Sequence, residues 1–139
     1  INKAIETGDV SKLGDYIATD AVDHGDPTKG DIKGVDSIKA NLARVHNMAD
    51  MKTEVVKEMA DGEYVFQWMK FTGTAKTADM GMPAGTKFDM SAIELSKFKD
   101  GKAVEHWEFM QAADMMKMMG PQPGMDKMEP KMMDSTMNK

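Results

Sequence analysis

Between residues 87 and 110 apolar and polar positions alternate in two runs that meet at Asp100-Gly101. Asp-Gly between β-favouring runs predicts a hairpin with a type I′ turn, because both residues tolerate the positive φ that its two central positions need. If Lys99 faces Lys102, then Leu95 lies opposite His106, Ile93 opposite Glu108 and Glu94 opposite Trp107. Alternation sorts the hairpin into two surfaces. One carries Ser91, Ile93, Leu95, Val104, His106, Glu108 and Met110; the other carries Met90, Ala92, Glu94, Glu105, Trp107 and Phe109. The first is an apolar surface with an imidazole and a carboxylate side by side.

The remaining pattern supplies the frame for this hairpin. Ile1 and Ile5 share a face ahead of Gly8, which reads as a helix end and its stop. Val10, Leu13 and Ile17 recur at helical spacing behind Asp9 as N-cap, predicting a short helix over 10–18, followed by a brief extended piece over 21–24 and a polar loop, GDPTKGDIKG. Val35, Ile38, Leu42 and Val45 form the clearest helical stripe, over 34–47. A second hairpin is predicted about Asp61-Gly62, with Met59 facing Tyr64 and Val55 facing Trp68. That register places Val55, Met59, Tyr64, Phe66 and Trp68 on one surface and Val56, Val65, Gln67, Met69 and Phe71 on the other. Both surfaces are partly apolar, as expected of a sheet packed on helices on one side and on a partner subunit on the other. A loop over 74–86 joins the hairpins, and 111–119 reads as a short helix whose Met115, Met116, Met118 and Met119 give it a flexible apolar surface.

Composition narrows the function classes. A chain of 139 residues fits one domain, and no apolar run approaches the length of a membrane span. With a net charge of −5 and interspersed lysines there is no basic stripe to neutralise phosphates, so nucleic acid is not an expected partner. Cysteine is absent, which removes disulfides, thiol catalysis and cysteine-ligated metal. The domain is expected over 1–119. The stretch 120–139 has three prolines and five methionines (Met125, Met128, Met132, Met133 and Met137), and reads as a loosely attached tail. Thioethers invite a Cu(I) reading of it, but no His or Cys accompanies them. The chain does not begin with Met, and its opening reads as the last turns of a helix whose start lies upstream; a removed signal peptide or a trimmed start would each produce this.

The candidate chemistry sits at His106 and Glu108. A carboxylate among Ile, Leu, Val and Met has its charged form disfavoured, and a group near neutrality can both take and give a proton. The same spacing also suits a surface pair on a solvated face. His24, beside Asp23 at the end of the first extended piece, is either a pocket residue or a solvated loop residue.

The strings GDVSKLGDYIATDAVDHG, FTGTA, GMPAGTKF and FKDGKAVEHWEFMQAADMMKMMG, in that order, resemble the SnoaL-like polyketide cyclases. These belong to the superfamily that also holds nuclear transport factor two, ketosteroid isomerase, scytalone dehydratase and limonene epoxide hydrolase. The resemblance spans about residues 1 to 120. It implies an α+β cone: a strongly curved antiparallel sheet wrapped around N-terminal helices, leaving a deep apolar pocket. His106 and Glu108 would line that pocket, while Glu94 and Trp107 would face outward, where relatives often dimerise sheet to sheet. In the characterised cyclases an acidic residue on the last strand acts as general acid and base without metal or cofactor. The matching position is Glu108, where Asp is usual. The resemblance also brings His24 and His106 to the cavity, with Tyr64, Phe66, Trp68, Ile93, Leu95 and Met110 as the apolar wall around a small carbonyl-bearing ligand. Two other roles suit the same fold, a ligand sink without chemistry and a dimeric interaction domain whose core is filled by methionine.

Overall fold

The computed structural model describes residues 1–25 and 30–119. The helix α1 (Asn2–Thr7) ends at Gly8, whose φ of 74° makes the left-handed cap. Strand β1 (Ile17–Asp23) and the two-residue β2 (Ile32–Lys33) precede α2 (Val35–Met48), which buries Ile38 and Leu42 of the predicted stripe and Met48 at its end. Two long hairpins follow: β3 (Ala49–Asp61) with β4 (Tyr64–Ala75), and β5 (Lys87–Lys99) with β6 (Lys102–Met110). A last helix, α3 (Ala112–Met119), closes the described chain; the methionine-rich tail lies outside the described residues.

The strands form one curved six-stranded sheet in the order β2-β1-β6-β5-β4-β3. All pairings are antiparallel except β1 with β6, which is parallel. Three helices and this sheet make the α+β cone. Its interior holds three apolar clusters, the smallest built on Met69, Phe71 and Ala92, and the two larger ones differ in composition. One is built on Ile5, Leu13, Ile17, Ile38 and Leu42; the other on Met48, Met80, Met82, Phe88 and Met90.

Three local expectations are corrected. Residues 10–18 do not continue as a helix: only a 3-10 turn forms over Leu13–Asp15, and Ile17 is already paired with Ala103. Asp9 does not cap a helix: its Oδ1 accepts from the Ser11 N–H at 3.0 Å, while the 3-10 turn begins after Lys12 without a side-chain cap; Gly14 weakens propagation and the strand pairing of Ile17 wins. The predicted polar loop contains β2, whose Ile32 pairs with Asp23.

The third correction concerns register. The β3–β4 turn is Gly62-Glu63, with Asp61 paired to Tyr64. Positive φ at Gly62 alone is the pattern of a II′ turn, where I′ had been expected. Met59 accordingly faces Phe66, and Lys57 faces Trp68. A bulge at Val56 then returns Val55 to a position opposite Met69. In the β5–β6 hairpin the Asp100-Gly101 turn forms as expected, with φ of 52° and 77°, and Lys99 faces Lys102. Beyond Phe98–Ala103, however, Val104 is extra, so that Lys97 faces Glu105, Ser96 faces His106, Leu95 faces Trp107 and Glu94 faces Glu108. One residue of shift exchanges the two faces of β5 relative to β6.

Candidate functional site

The bulge decides what the site contains. Since Ser96 pairs with His106 and Glu94 with Glu108, the inner face of the hairpin carries Glu94, His106 and Glu108 together. Glu94, expected to face outward, is the buried charged residue of the described chain, at 7% exposure. Its Oε2 lies 3.8 Å from His106 Nε2, a charge contact too long for a hydrogen bond. Ile93 and Leu95, expected in the wall, go to the outer face by the same shift. There they pair with Trp68 and Phe66 of β4.

On the other side of the imidazole stands Asp23. The parallel pairing sets Asp23 beside His106, and the His24 N–H donates to the His106 carbonyl at 2.8 Å. His106 Nδ1 donates to Asp23 Oδ1 at 2.9 Å, and the same oxygen accepts from the Gly25 N–H at 2.8 Å. The chain leaving β1 passes directly over the pair. A Cβ on Gly25 would sit 3.0 Å from Asp23 Oδ1 and 3.2 Å from Glu108 Cβ. Glycine is required there for closeness alone.

Burial works against a charge on His106, but the hydrogen bond to Asp23 and the carboxylate of Glu94 outweigh it. Its pKa is pushed up to about 10, so the ring is an imidazolium at neutral pH. With Nδ1 committed to Asp23, Nε2 is buried and has no hydrogen-bond partner among the described residues. An N–H without an acceptor inside a protein is costly, and it lies where a ligand could satisfy it.

That position lines a cavity of about 210 Å³ between the helices and the concave side of the sheet. Asp23, Glu94, His106, Glu108 and Met110 all contribute to its lining. The rest is largely Ile, Leu, Val, Phe and Met, with Asn41 and Arg44 from α2. Asn41 Oδ1 accepts from Arg44 Nη2 at 2.9 Å and holds that guanidinium against the wall. Among the described residues no group of three carboxylate or imidazole side chains is placed to hold a metal ion.

Of the residues expected at the site, His106, Glu108 and Met110 line the cavity. His24 does not: its ring stacks on Trp107, 5.1 Å between centroids, and its Nδ1 pairs with Asp31 at 2.8 Å. Side chains alternate along a strand, so the stack on Trp107 puts His24 on the opposite side of β6 from His106. Tyr64, Phe66 and Trp68 sit on the outer face of β4 and are exposed, Trp68 at 48%. The residues that sequence reasoning missed are Asp23 and Glu94. The Asp-His pair at 23–24 was the available signal, and its Asp, not its His, enters the site.

A curved, unclosed sheet over helices with a cavity in its concavity is the cone-shaped fold of the class that includes nuclear transport factor two. A family model places the chain more closely: residues 1–119 match the SnoaL-like polyketide cyclases, and the chain belongs to that family. Solved structures agree on the fold. Wild-type IdmH from Streptomyces antibioticus is 28% identical over 82% of this chain and 88% of its own, with a TM-score of 0.69. TsrD from Streptomyces laurentii is 21% identical over 86% and 88%, with a TM-score of 0.72. A SnoaL-like polyketide cyclase from Agrobacterium tumefaciens is 16% identical over 81% and 87%, with a TM-score of 0.68. No curated protein matches the chain in sequence.

Proposed function

We propose that the cavity binds a small apolar carbonyl compound and that the chain performs acid–base chemistry on it without a cofactor. The observation that carries this reading is the buried Nε2 of His106, held charged between Asp23 and Glu94 and facing the cavity. An imidazolium N–H aimed at a carbonyl oxygen stabilises the negative charge that develops there when a proton leaves the adjacent carbon. Glu108 is the group that takes this proton. Asp23 fixes the ring orientation through Nδ1, and Glu94 keeps the ring charged. A low-dielectric surrounding strengthens each of these interactions.

Partner chemistry follows from the outer face of the sheet. Tyr64, Phe66, Trp68, Ile93 and Phe109 are exposed there, and apolar patches of this kind mark interaction surfaces. A second copy of the chain, packed sheet to sheet, is the partner we assign to it.

The test is deuterium uptake at the methyl carbon of acetophenone, an apolar ketone whose exchange is slow without a catalyst. Wild-type protein is expected to accelerate uptake, and Glu108→Gln to lose about 10²–10⁴-fold of that acceleration. Binding without exchange would replace this reading with that of a ligand sink; equal rates in the two proteins would remove Glu108 from the chemistry.

A further inference from the structure

The cavity is smaller than its proposed task requires. Sites for small molecules usually enclose about 300–1,000 Å³, and this one encloses about 210 Å³. Its two sides differ in what they could do about that. One side is built from the cluster of Ile5, Ile17, Ile38 and Leu42, whose branched side chains are confined to few rotamers in a packed helix and strand. The other is a wall of thioethers: Met51 from β3, Met80 from the turn Ala78–Met80, Met90 from β5, Met110 from β6 and Met118 from α3. Each comes from a different element, so no single backbone movement is needed to displace them. Met48 also faces the cavity, but its sulfur accepts from Arg44 Nη1 at 2.9 Å and is held in place.

Unbranched methionine has three rotatable bonds and fills irregular space with little cost for changing shape. We infer that the resting cavity is the contracted form of a mouldable site. It admits ligands larger than the resting volume, and Met80, Met90 and Met110 set the upper limit of ligand size by rotating out of the way. The branched wall and the Asp23–His106–Glu94 group keep their places and give every ligand the same anchor. This inference rests on the proposed ligand-binding role and adds to it the size class of the ligand and the residues that govern it.

The experiment compares two aryl ketones of different size, acetophenone and 1-acetylpyrene, by calorimetry and, for the second, fluorescence, on the full chain. Wild-type protein is expected to bind both. The variants Met80→Ile, Met90→Ile and Met110→Ile, and their combination, keep apolar volume but stiffen the wall. They are expected to weaken binding of 1-acetylpyrene at least about tenfold more than they weaken binding of acetophenone, because a packed wall that cannot rotate must be strained to admit the larger ketone. A second measurement avoids any folding defect in the variants. In wild-type protein labelled at the methionine methyl groups, 1-acetylpyrene should shift the signals of Met80, Met90 and Met110, and acetophenone should leave them nearly in place. Wild-type protein that binds acetophenone but not 1-acetylpyrene overturns the inference and leaves the proposed function standing, as does equal binding of the large ketone by the stiffened variants. Unmoved methionine signals in the complex with 1-acetylpyrene overturn it also. Failure to bind either ketone overturns the ligand-binding role itself.

Discussion

The two faces of the β5–β6 hairpin are made from the same twenty-two strand residues, yet one buries a charge cluster and the other exposes an apolar surface. On the inner face Glu94, His106 and Glu108 meet within one pair of strands, with Asp23 completing the group from β1. On the outer face Ile93 and Leu95 pair with Trp68 and Phe66, and Lys97 reaches over the ring of Tyr64 at 5.9 Å. The charge cluster sits on the same inner face as the buried apolar residues Phe88, Met90 and Ala92. Charge is taken inside and apolar surface is left outside, which is costly on both counts unless each face meets a ligand or a partner. The inner charges are at least arranged to offset one another; the outer apolar surface has no such compensation within one chain.

Breaking that contrast should cost most at His106. Its pKa is raised in the folded state from an ordinary value of 6.5 to about 10. The stability it contributes is therefore complete below pH ~6.5 and is lost as pH rises through 10. Denaturant unfolding of wild type against His106→Gln should show a stability difference that shrinks across this range by on the order of 3–5 kcal/mol. A difference that does not vary with pH would mean the ring is not charged in the fold.

Asp23→Asn comes next, with an expected loss of about 1–3 kcal/mol at neutral pH, since a buried charge-assisted hydrogen bond is removed. In the same variant the His106 resonance should titrate at lower pH than in wild type. Gly25→Ala should follow at about 1 kcal/mol, because the added methyl must push on Asp23 and Glu108; its thermal unfolding and its rate of deuterium uptake should fall together. The outer face should respond least within one chain. Trp68→Lys is expected to alter the unfolding free energy of a monomer by no more than about 0.5 kcal/mol, yet to shift sedimentation from dimer to monomer. A dimer that survives this change would place the partner contact elsewhere.

How much of this could be read from the chain differs between the frame and the site. The stripe Val35, Ile38, Leu42 and Val45 specifies α2 because helical period and burial coincide there, and the Asp100-Gly101 turn is fixed by local φ preferences. His106, Glu108 and Met110 share a face by simple alternation along β6, so their common location was legible. Glu94 was not, because alternation alone cannot reveal an extra residue in the partner strand. The flanking Ile93 and Leu95 also made the wrong face of β5 look like the inner one. Asp23 was hidden for a different reason: its partnership with His106 depends on a parallel pairing 83 residues apart in sequence. Nothing local in AVDHG distinguishes which of the two adjacent polar side chains turns inward.

The bulge at Val104 also has a meaning for how this chain can vary. With strict pairing from Lys99–Lys102 onward, Glu94 would stand opposite Trp107, and Glu94 and His106 would lie on opposite sides of the sheet. Loss of the single codon for Val104 would therefore act unlike any point substitution. It would leave every side chain of the candidate site and its lining in the gene while expelling either Glu94 or His106 from the cavity. Insertions and deletions in this short stretch, more than changes of residue type, set the boundary within which descendants of this sequence could keep the same arrangement of side chains.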